Sequence, residues 1–319
     1  MPTLHAVYDL EWSPITFDVM YFLAMAHLVT VREGFDDFTV TYLHGDNGWR
    51  KRTPKDRALP DDEKQWRLNN IHIPLAGLAR KCVGHGAARR SDFAPIAKSL
   101  ERKVLFPRGY RVDRPVYQFV VMLLLEDDPT PEEMRVLEPT AAAISKVDYW
   151  LEARRIRNPV TLTLRTSRSE PERNSRMKDW VAAAKVIKER GYDPVIVPDT
   201  DLATVGVTDF GDVPGFPLGA LSVDLRLAMY RRALLNLSHG GGPGFLPWFS
   251  DARMLAFLPV ENLPVSARGS LSGMAQLLGT AVGGDWPNAT PLRRFVWKPA
   301  TVEAIIGEFD AAVAALPAT

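Results

Sequence analysis

The chain has 319 residues, and because domains usually hold about 100–200 residues, this length predicts two of them. Hydrophobic residues make up 46% and charged residues 24% of the chain, which is typical of a globular protein and excludes a disordered or fibrous one. The formal net charge of +1 excludes the overall basic field that nucleic acid would require. Cys82 is the single cysteine, so an intramolecular disulfide or a cysteine zinc site is excluded and an ordinary buried thiol is expected.

The amino-terminal residues lack the basic region and apolar core of a signal peptide. The longest apolar stretch, residues 117–125, is too short to span a bilayer. We therefore expect a cytoplasmic protein without a transmembrane segment.

Strand and helix patterns alternate from the amino terminus. Residues 3–10 predict a buried strand, a helix starts near Ser13-Pro14 and runs to about Arg32, and residues 38–43 predict a second strand. Such a unit is typical of a parallel sheet. The pattern then predicts a helix over 61–79 interrupted by Pro74, no clear element over 83–116, a strand over 117–125 and a helix over 132–157.

The pattern breaks at Asn158-Pro159 and becomes clearer afterwards. Strands are predicted over 160–165, 194–198, 235–238 and 254–258, and helices over 175–190, 224–235 and 301–315, with Gly191 as a helix C-cap. We predict an α/β fold of two Rossmann-like lobes facing a cleft, with a boundary at residues 157/158. The helix over 301–315 is expected to pack back on the first lobe.

Ligands of parallel sheets bind beyond the carboxyl ends of the strands, which selects three loops of the second half. The first follows Arg165 and also carries Arg168 and Arg173. A guanidinium offers two parallel donors and a permanent charge, so these arginines suit a diphosphate. The alternative interpretation is a solvated charged loop.

The second loop contains Asp199-Thr200-Asp201. An acid at this strand end can bind ribose hydroxyls, and an Asp-x-Asp string can also hold a divalent ion. The alternative is an Asx-turn that caps a helix.

The third loop, residues 238–244, begins at Ser238 and contains Gly240, Gly241 and Gly242. Three glycines allow the backbone to approach a ligand, and the following helix start offers unpaired N–H groups to an anion. The loop lacks the Lys-Ser/Thr ending of a Walker motif. A flexible turn is the alternative, and a positive φ at Gly241 is a further possibility.

In the first half, Asp9 falls at the end of a predicted strand and Glu11 follows closely. Either carboxylate could act as a general base. The histidines are scattered without metal-ligand spacing, so no metal site is predicted.

Together these motifs over residues 158–260 resemble the carboxyl-terminal lobe of the fucosyltransferase-like GT-B glycosyltransferases, which include nodulation α-1,6-fucosyltransferases and protein O-fucosyltransferases. That family has a His-x-Arg-Arg-x-Asp motif at its first strand end. Here Arg165 keeps one arginine, and Thr163 stands where the histidine would be. The family's Thr-Asp pair corresponds to Thr200-Asp201, and its diphosphate-binding turn to residues 238–249.

The resemblance implies a metal-independent glycosyltransferase that moves a sugar from a nucleotide-sugar to a glycan, a lipid-linked acceptor or a small molecule. Residues 1–157 would then form the acceptor side and residues 158–319 the nucleotide side. Arg165 would stabilise the leaving diphosphate. Two alternatives remain open: a noncatalytic nucleotide- or glycan-binding protein with a degenerate cleft, and an epimerase or phosphotransferase on the same lobes.

Overall fold

The computed structural model describes residues 2–45, 47–115, 128–167, 171–200, 202, 210–258, 280, 283–286 and 288–316. Contacts divide the chain into two compact units, Met1–Glu138 and Pro139–Thr319. Each unit has a parallel sheet of its own in the described residues. No helix in these ranges is long and apolar enough to cross a membrane.

The first unit is built on a four-stranded parallel sheet with strand order β3-β2-β1-β4. Its elements are β1 (Leu4–Asp9), α1 (Val19–Arg32), β2 (Phe38–His44), α2 (Pro54–Ala58), α3 (Asp61–Arg67), α4 (Ile73–Leu78), β3 (Cys82–Arg89), α5 (Arg90–Ser99) and β4 (Leu105–Phe106). The predicted strand–helix–strand unit at the amino terminus is confirmed. The helix, however, starts at Val19, because the chain first turns back on Asp9, whose carbonyl oxygen accepts from Trp12 N (3.1 Å) and Ser13 N (2.7 Å).

The helical region 61–79 continues past Pro74 by changing its hydrogen-bond pattern. A π-helical segment, Leu68–His72, joins α3 to α4, and Pro74 follows it in the first turn of α4. Residues 83–116 contain β3, α5 and β4 although no element was predicted there. The glycines and alanines of β3 hide the alternation that marks a strand. The predicted strand over 117–125 falls within residues 116–127, outside the described ranges.

The helix predicted over 132–157 is shorter, and this expectation was wrong at its start. Helix α6 spans Ala141–Ala153 and is capped by Thr140, whose hydroxyl accepts from Ala143 N at 3.1 Å. Pro139 disfavours helical geometry at Glu138, and Glu138 N instead donates to Leu78 O at 2.9 Å. Helix α6 packs in the second unit, so the contacts divide the chain before this helix and not at residue 158.

The second unit is built on a five-stranded parallel sheet with strand order β6-β5-β7-β8-β9. After α6 its elements are β5 (Pro159–Thr163), α7 (Met177–Glu189), β6 (Asp193–Val197), α8 (Leu218–Leu221), α9 (Val223–Arg232), β7 (Leu235–His239), β8 (Met254–Phe257), β9 (Arg293–Val296) and α10 (Val302–Ala314). The final helix contributes to the core of this unit. Ile305 and Phe309 of α10 are fully buried in this unit's own core, against α7 and the sheet, so its apolar face is covered here.

The strand orders locate where each sheet can bind a ligand. In the second unit the order reverses between β5 and β7, and in the first unit between β1 and β4. At such a switch point the connections leave toward opposite faces of the sheet, which opens a crevice at the carboxyl ends of the two strands. Arg165 and the glycine-rich turn follow β5 and β7, and Asp9 ends β1.

Candidate functional site

Arg165 lies two residues beyond β5 and is only 8% exposed. Its backbone is held on both sides, because Arg165 N donates to Ser175 Oγ and Ser175 N donates to Arg165 O, each at 2.9 Å. Its guanidinium Nη1 donates to Asn174 Oδ1 at 2.7 Å. The low exposure and the Nη1 contact indicate an oriented guanidinium at the switch point and not a solvated side chain.

Asp199 connects the ends of β5 and β6. Its Oδ2 accepts from Thr166 N at 3.1 Å and its Oδ1 accepts from Thr200 N at 2.8 Å. The carboxylate therefore binds the N–H of the next residue, and not the N–H two residues on that an Asx-turn uses, and it also braces the loop after Arg165. Each carboxylate oxygen can accept a second hydrogen bond, so contact with a ribose remains compatible with this geometry.

The glycine-rich turn after β7 is held tightly against the next strand. Gly240 N donates to Phe257 O at 2.7 Å, and a Cβ on Gly240 would lie 2.5 Å from Leu258 Cδ2. The N–H of Gly240 is therefore occupied and is not available to a ligand. Ser238 is buried, and its hydroxyl donates within the turn to Gly244 O at 3.4 Å.

Gly241 is the residue at which this turn meets Arg165. A Cβ on Gly241 would lie 3.2 Å from Arg165 Cδ, so the glycine permits a close approach. Its φ is −164°, an extended conformation open to any residue, and the suggested positive φ was wrong. A 3₁₀-helix, Gly242–Phe249, follows. Its first N–H groups have no intrahelical acceptor, so the amides of Gly241 and Gly242 can serve an anion beside the guanidinium.

His239, at the end of β7, is 4% exposed and was not singled out from the sequence. Its Nε2 lies 2.7 Å from Arg173 O, and because a carbonyl only accepts, Nε2 carries the proton. Burial, reinforced by the positive charges of Arg165 and Arg173, lowers the pKa of His239 to about 4. The ring is therefore neutral at pH 7 and anchors the loop that carries Arg173.

Arg226 is a second buried cation near this edge, also missed because an arginine on an amphipathic helix usually lies in solvent. It is 2% exposed and donates to Gly219 O (2.5 Å), Pro198 O (2.9 Å) and Tyr230 Oη (3.2 Å). It thus joins the end of β6 to α8 and α9. Tyr230, one helical turn further along the same helix, was the only sequence signal for this contact.

Two predicted site residues, Arg168 and Asp201, lie outside the described residues. Arg173 closes a 3₁₀-turn, Pro171–Arg173, and its carbonyl is the acceptor for His239. Within the described ranges no group of three or more His, Cys, Asp or Glu side chains could hold a metal ion.

In the first unit, Asp9 lies at the end of β1 and is 3% exposed. Its carboxylate accepts from Arg90 Nη2 at 2.9 and 3.0 Å and from Tyr110 Oη at 3.0 Å. Burial raises the pKa of Asp9, and the positive charge of Arg90 opposes that rise. Glu11 shares the same arginine at 3.2 Å and accepts from Asn47 Nδ2 at 2.7 Å.

No family model matches the sequence, and no curated protein is significantly similar to it. The solved structures that are similar over nearly the whole chain include two glycosyltransferases. A glycosyl transferase family 9 protein from Veillonella parvula has 10% identity and a TM-score of 0.55, with 98% of each chain covered. The ADP-heptose LPS heptosyltransferase II of E. coli has 9% identity and a TM-score of 0.57, with 98% of this chain and 99% of that chain covered.

The likeness is one of fold. It confirms the predicted α/β class with Rossmann-like lobes of the GT-B type, over the whole chain and not over its second half alone. Both neighbours are named as glycosyltransferases, and neither name mentions fucose.

Proposed function

We propose that this protein is a glycosyltransferase whose second unit binds the diphosphate of a nucleotide-sugar donor. One observation carries the proposal: Gly241 allows the side chain of Arg165 to lie against the turn that begins the 3₁₀-helix. A buried, oriented guanidinium and free backbone amides then converge at the switch point of a doubly wound sheet. This combination suits a diphosphate in both charge and geometry.

The proposed chemistry breaks the bond between the sugar C1 and the diphosphate oxygen, which keeps the electron pair. A new bond forms between C1 and the oxygen of the acceptor hydroxyl, whose proton passes to a base. Arg165 and the amides of Gly241 and Gly242 stabilise the growing negative charge. We propose that this charge stabilisation needs no metal ion. Asp199 is assigned to the ribose.

The base that accepts the proton of the acceptor hydroxyl is assigned to Asp9. Its raised pKa and its position at the β1 switch point support this role over Glu11. Asp9→Asn is expected to lower turnover by about 100-fold or more while leaving the nucleotide Kd unchanged. Glu11→Gln is the matched control, and equal losses in the two variants would contradict the assignment.

The donor is tested by calorimetry of the purified protein with ADP, GDP, UDP and CMP in EDTA. The neighbour named for ADP-heptose makes ADP the first candidate, and the arginine motif that resembles fucosyltransferases makes GDP the second. We expect at least one nucleotide to bind with a Kd below about 1 mM, a typical upper range for enzyme substrates. Failure of all four would overturn the proposal. Binding without transfer from any matching sugar donor would instead favour a noncatalytic nucleotide-binding protein.

A further inference from the structure

Asn174 makes three hydrogen bonds around the proposed diphosphate site. Its Oδ1 accepts from Arg165 Nη1 at 2.7 Å and from Ser167 N at 2.8 Å, and its Nδ2 donates to Ser167 O at 3.0 Å. Two donors face the oxygen and one acceptor faces the amino group, so only one orientation of the amide satisfies all three contacts. The side chain closes the loop after Arg165 and aims its guanidinium at the same time.

We infer that Asn174 is a positioning residue whose neutral amide orients Arg165 without adding negative charge beside the ligand. An aspartate could accept the same two hydrogen bonds, and a carboxylate is the usual partner of an arginine. It would, however, place a full negative charge within hydrogen-bond distance of the cation that must attract a diphosphate, and it could not donate to Ser167 O. The amide thus orients the guanidinium and adds no negative charge of its own. This inference rests on the proposed function.

The test compares Asn174→Asp with Asn174→Ala, using the nucleoside diphosphate that the wild-type protein binds best. Alanine removes all three hydrogen bonds but adds no charge, whereas aspartate keeps the two bonds to the oxygen. If Asn174 has a purely structural role, the Asn174→Asp protein should bind the nucleotide better than the Asn174→Ala protein. Our inference predicts the reverse order, with the Asn174→Asp protein binding about ten-fold or more weaker than wild type because of the added charge.

Three controls separate the effect of charge at the site from the effects of net charge, of contacts to the nucleoside and of folding. Lys178→Gln lowers the net charge by the same single unit on the exposed side of α7 and is expected to leave the Kd unchanged. The uncharged nucleoside should bind the wild-type and Asn174→Asp proteins with similar affinity, because only the diphosphate feels the added carboxylate. A thermal unfolding midpoint for each variant shows that the folded protein is being compared.

A double-mutant cycle keeps the inference testable if the aspartate variant does not fold. Because Asn174 acts through Arg165, Asn174→Ala is expected to weaken binding several-fold in the wild type and to have no further effect on Arg165→Ala. Equal effects of Asn174→Ala in both backgrounds would overturn the inference. So would an Asn174→Asp protein that binds the nucleotide as tightly as the Asn174→Ala protein does. If instead the wild-type protein binds no nucleotide, the proposed function fails first.

Discussion

Arg165 is the residue on which the proposed chemistry depends, and its role can be separated from its charge. Lysine keeps the positive charge at residue 165 but loses the planar fork and the aimed contact with Asn174. Since hydrogen bonds to charged groups contribute about 1.5–3 kcal/mol, Arg165→Lys is expected to lower turnover about ten-fold or more, and Arg165→Ala further. The loss should fall mainly on kcat, because the charge of the leaving group is greatest in the transition state.

The matched control for Arg165 is Arg176, an exposed arginine that pairs with Asp179 one helical turn away. Arg176→Lys is expected to change stability by less than about 0.5 kcal/mol and turnover not at all. Wild-type turnover in Arg165→Lys, measured on the same donor, would remove the assigned role.

A substitution at Gly241 tests the close approach of the Arg165 side chain to the glycine-rich turn. A methyl group at residue 241 would lie 3.2 Å from Arg165 Cδ, which forces the arginine side chain to move while the extended backbone accepts alanine without strain. Gly241→Ala is therefore expected to weaken nucleotide binding about ten-fold, by analogy with the loss of one charged hydrogen bond, with little change in unfolding. Calorimetry and a thermal melt measure the two effects separately. An unchanged Kd would mean that the turn is structural.

At the scale of the elements, two glycines at helices of the second unit should respond oppositely to the same substitution. Gly307 lies within α10 with open space around its Cα, so Gly307→Ala should raise the free energy of unfolding by about 0.5–1 kcal/mol. Gly191 follows α7 with φ +86°, as its predicted C-cap role requires, so Gly191→Ala should lower it by about 1 kcal/mol. Urea unfolding at pH 7 checks both, and a shared sign would contradict the assignment of these two helix positions.

At the scale of the whole molecule, each unit contains a buried histidine that makes it acid-sensitive. In the first unit His72 lies between the rings of Tyr8 and Tyr42, and burial lowers its pKa to about 3. In the second unit burial lowers the pKa of His239 to about 4. In the unfolded chain these histidines are protonated near pH 6.5. Between pH 6.5 and the lowered pKa of each histidine, the unfolded chain therefore binds more protons than the folded protein. The contribution of these histidines to the free energy of unfolding is therefore fully present above about pH 6.5. The free energy of unfolding falls by about 2 kcal/mol per histidine by pH 5.

His239→Gln, which keeps an N–H donor, should flatten the part of this pH dependence that belongs to the second unit. Urea unfolding at pH 7.5, 6.5 and 5.5 in both proteins measures the difference. The raised pKa of Asp9 acts with the opposite sign, but it is common to both proteins and cancels in the comparison. Identical slopes in the two proteins would exclude His239 as a source of acid sensitivity.

The sequence by itself determined the α/β class, two of the four strands of the first sheet, four of the five strands of the second sheet, and the sheet edge at which Arg165 and the glycine-rich turn lie. These features depend on local periodicity, on Gly191 as a helix stop and on loops that follow parallel strands. Each of these signals is contained in a few neighbouring residues of the sequence. The start of α6, the strand β3 and the packing of α10 were decided by tertiary contacts, because their backbone or apolar faces are satisfied by distant segments.

The site shows the same division. Arg165 and the glycine-rich turn follow from strand ends, but Asn174, His239 and Arg226 were found only in three dimensions. Arg165 meets Asn174 across 9 residues, Arg226 meets Pro198 across 28, and His239 meets Arg173 across 66. Hydrogen bonds over such separations leave no periodic trace in a sequence. Only the folded sheet, by bringing the ends of β5, β6 and β7 to one edge, decides which side chains orient the cation.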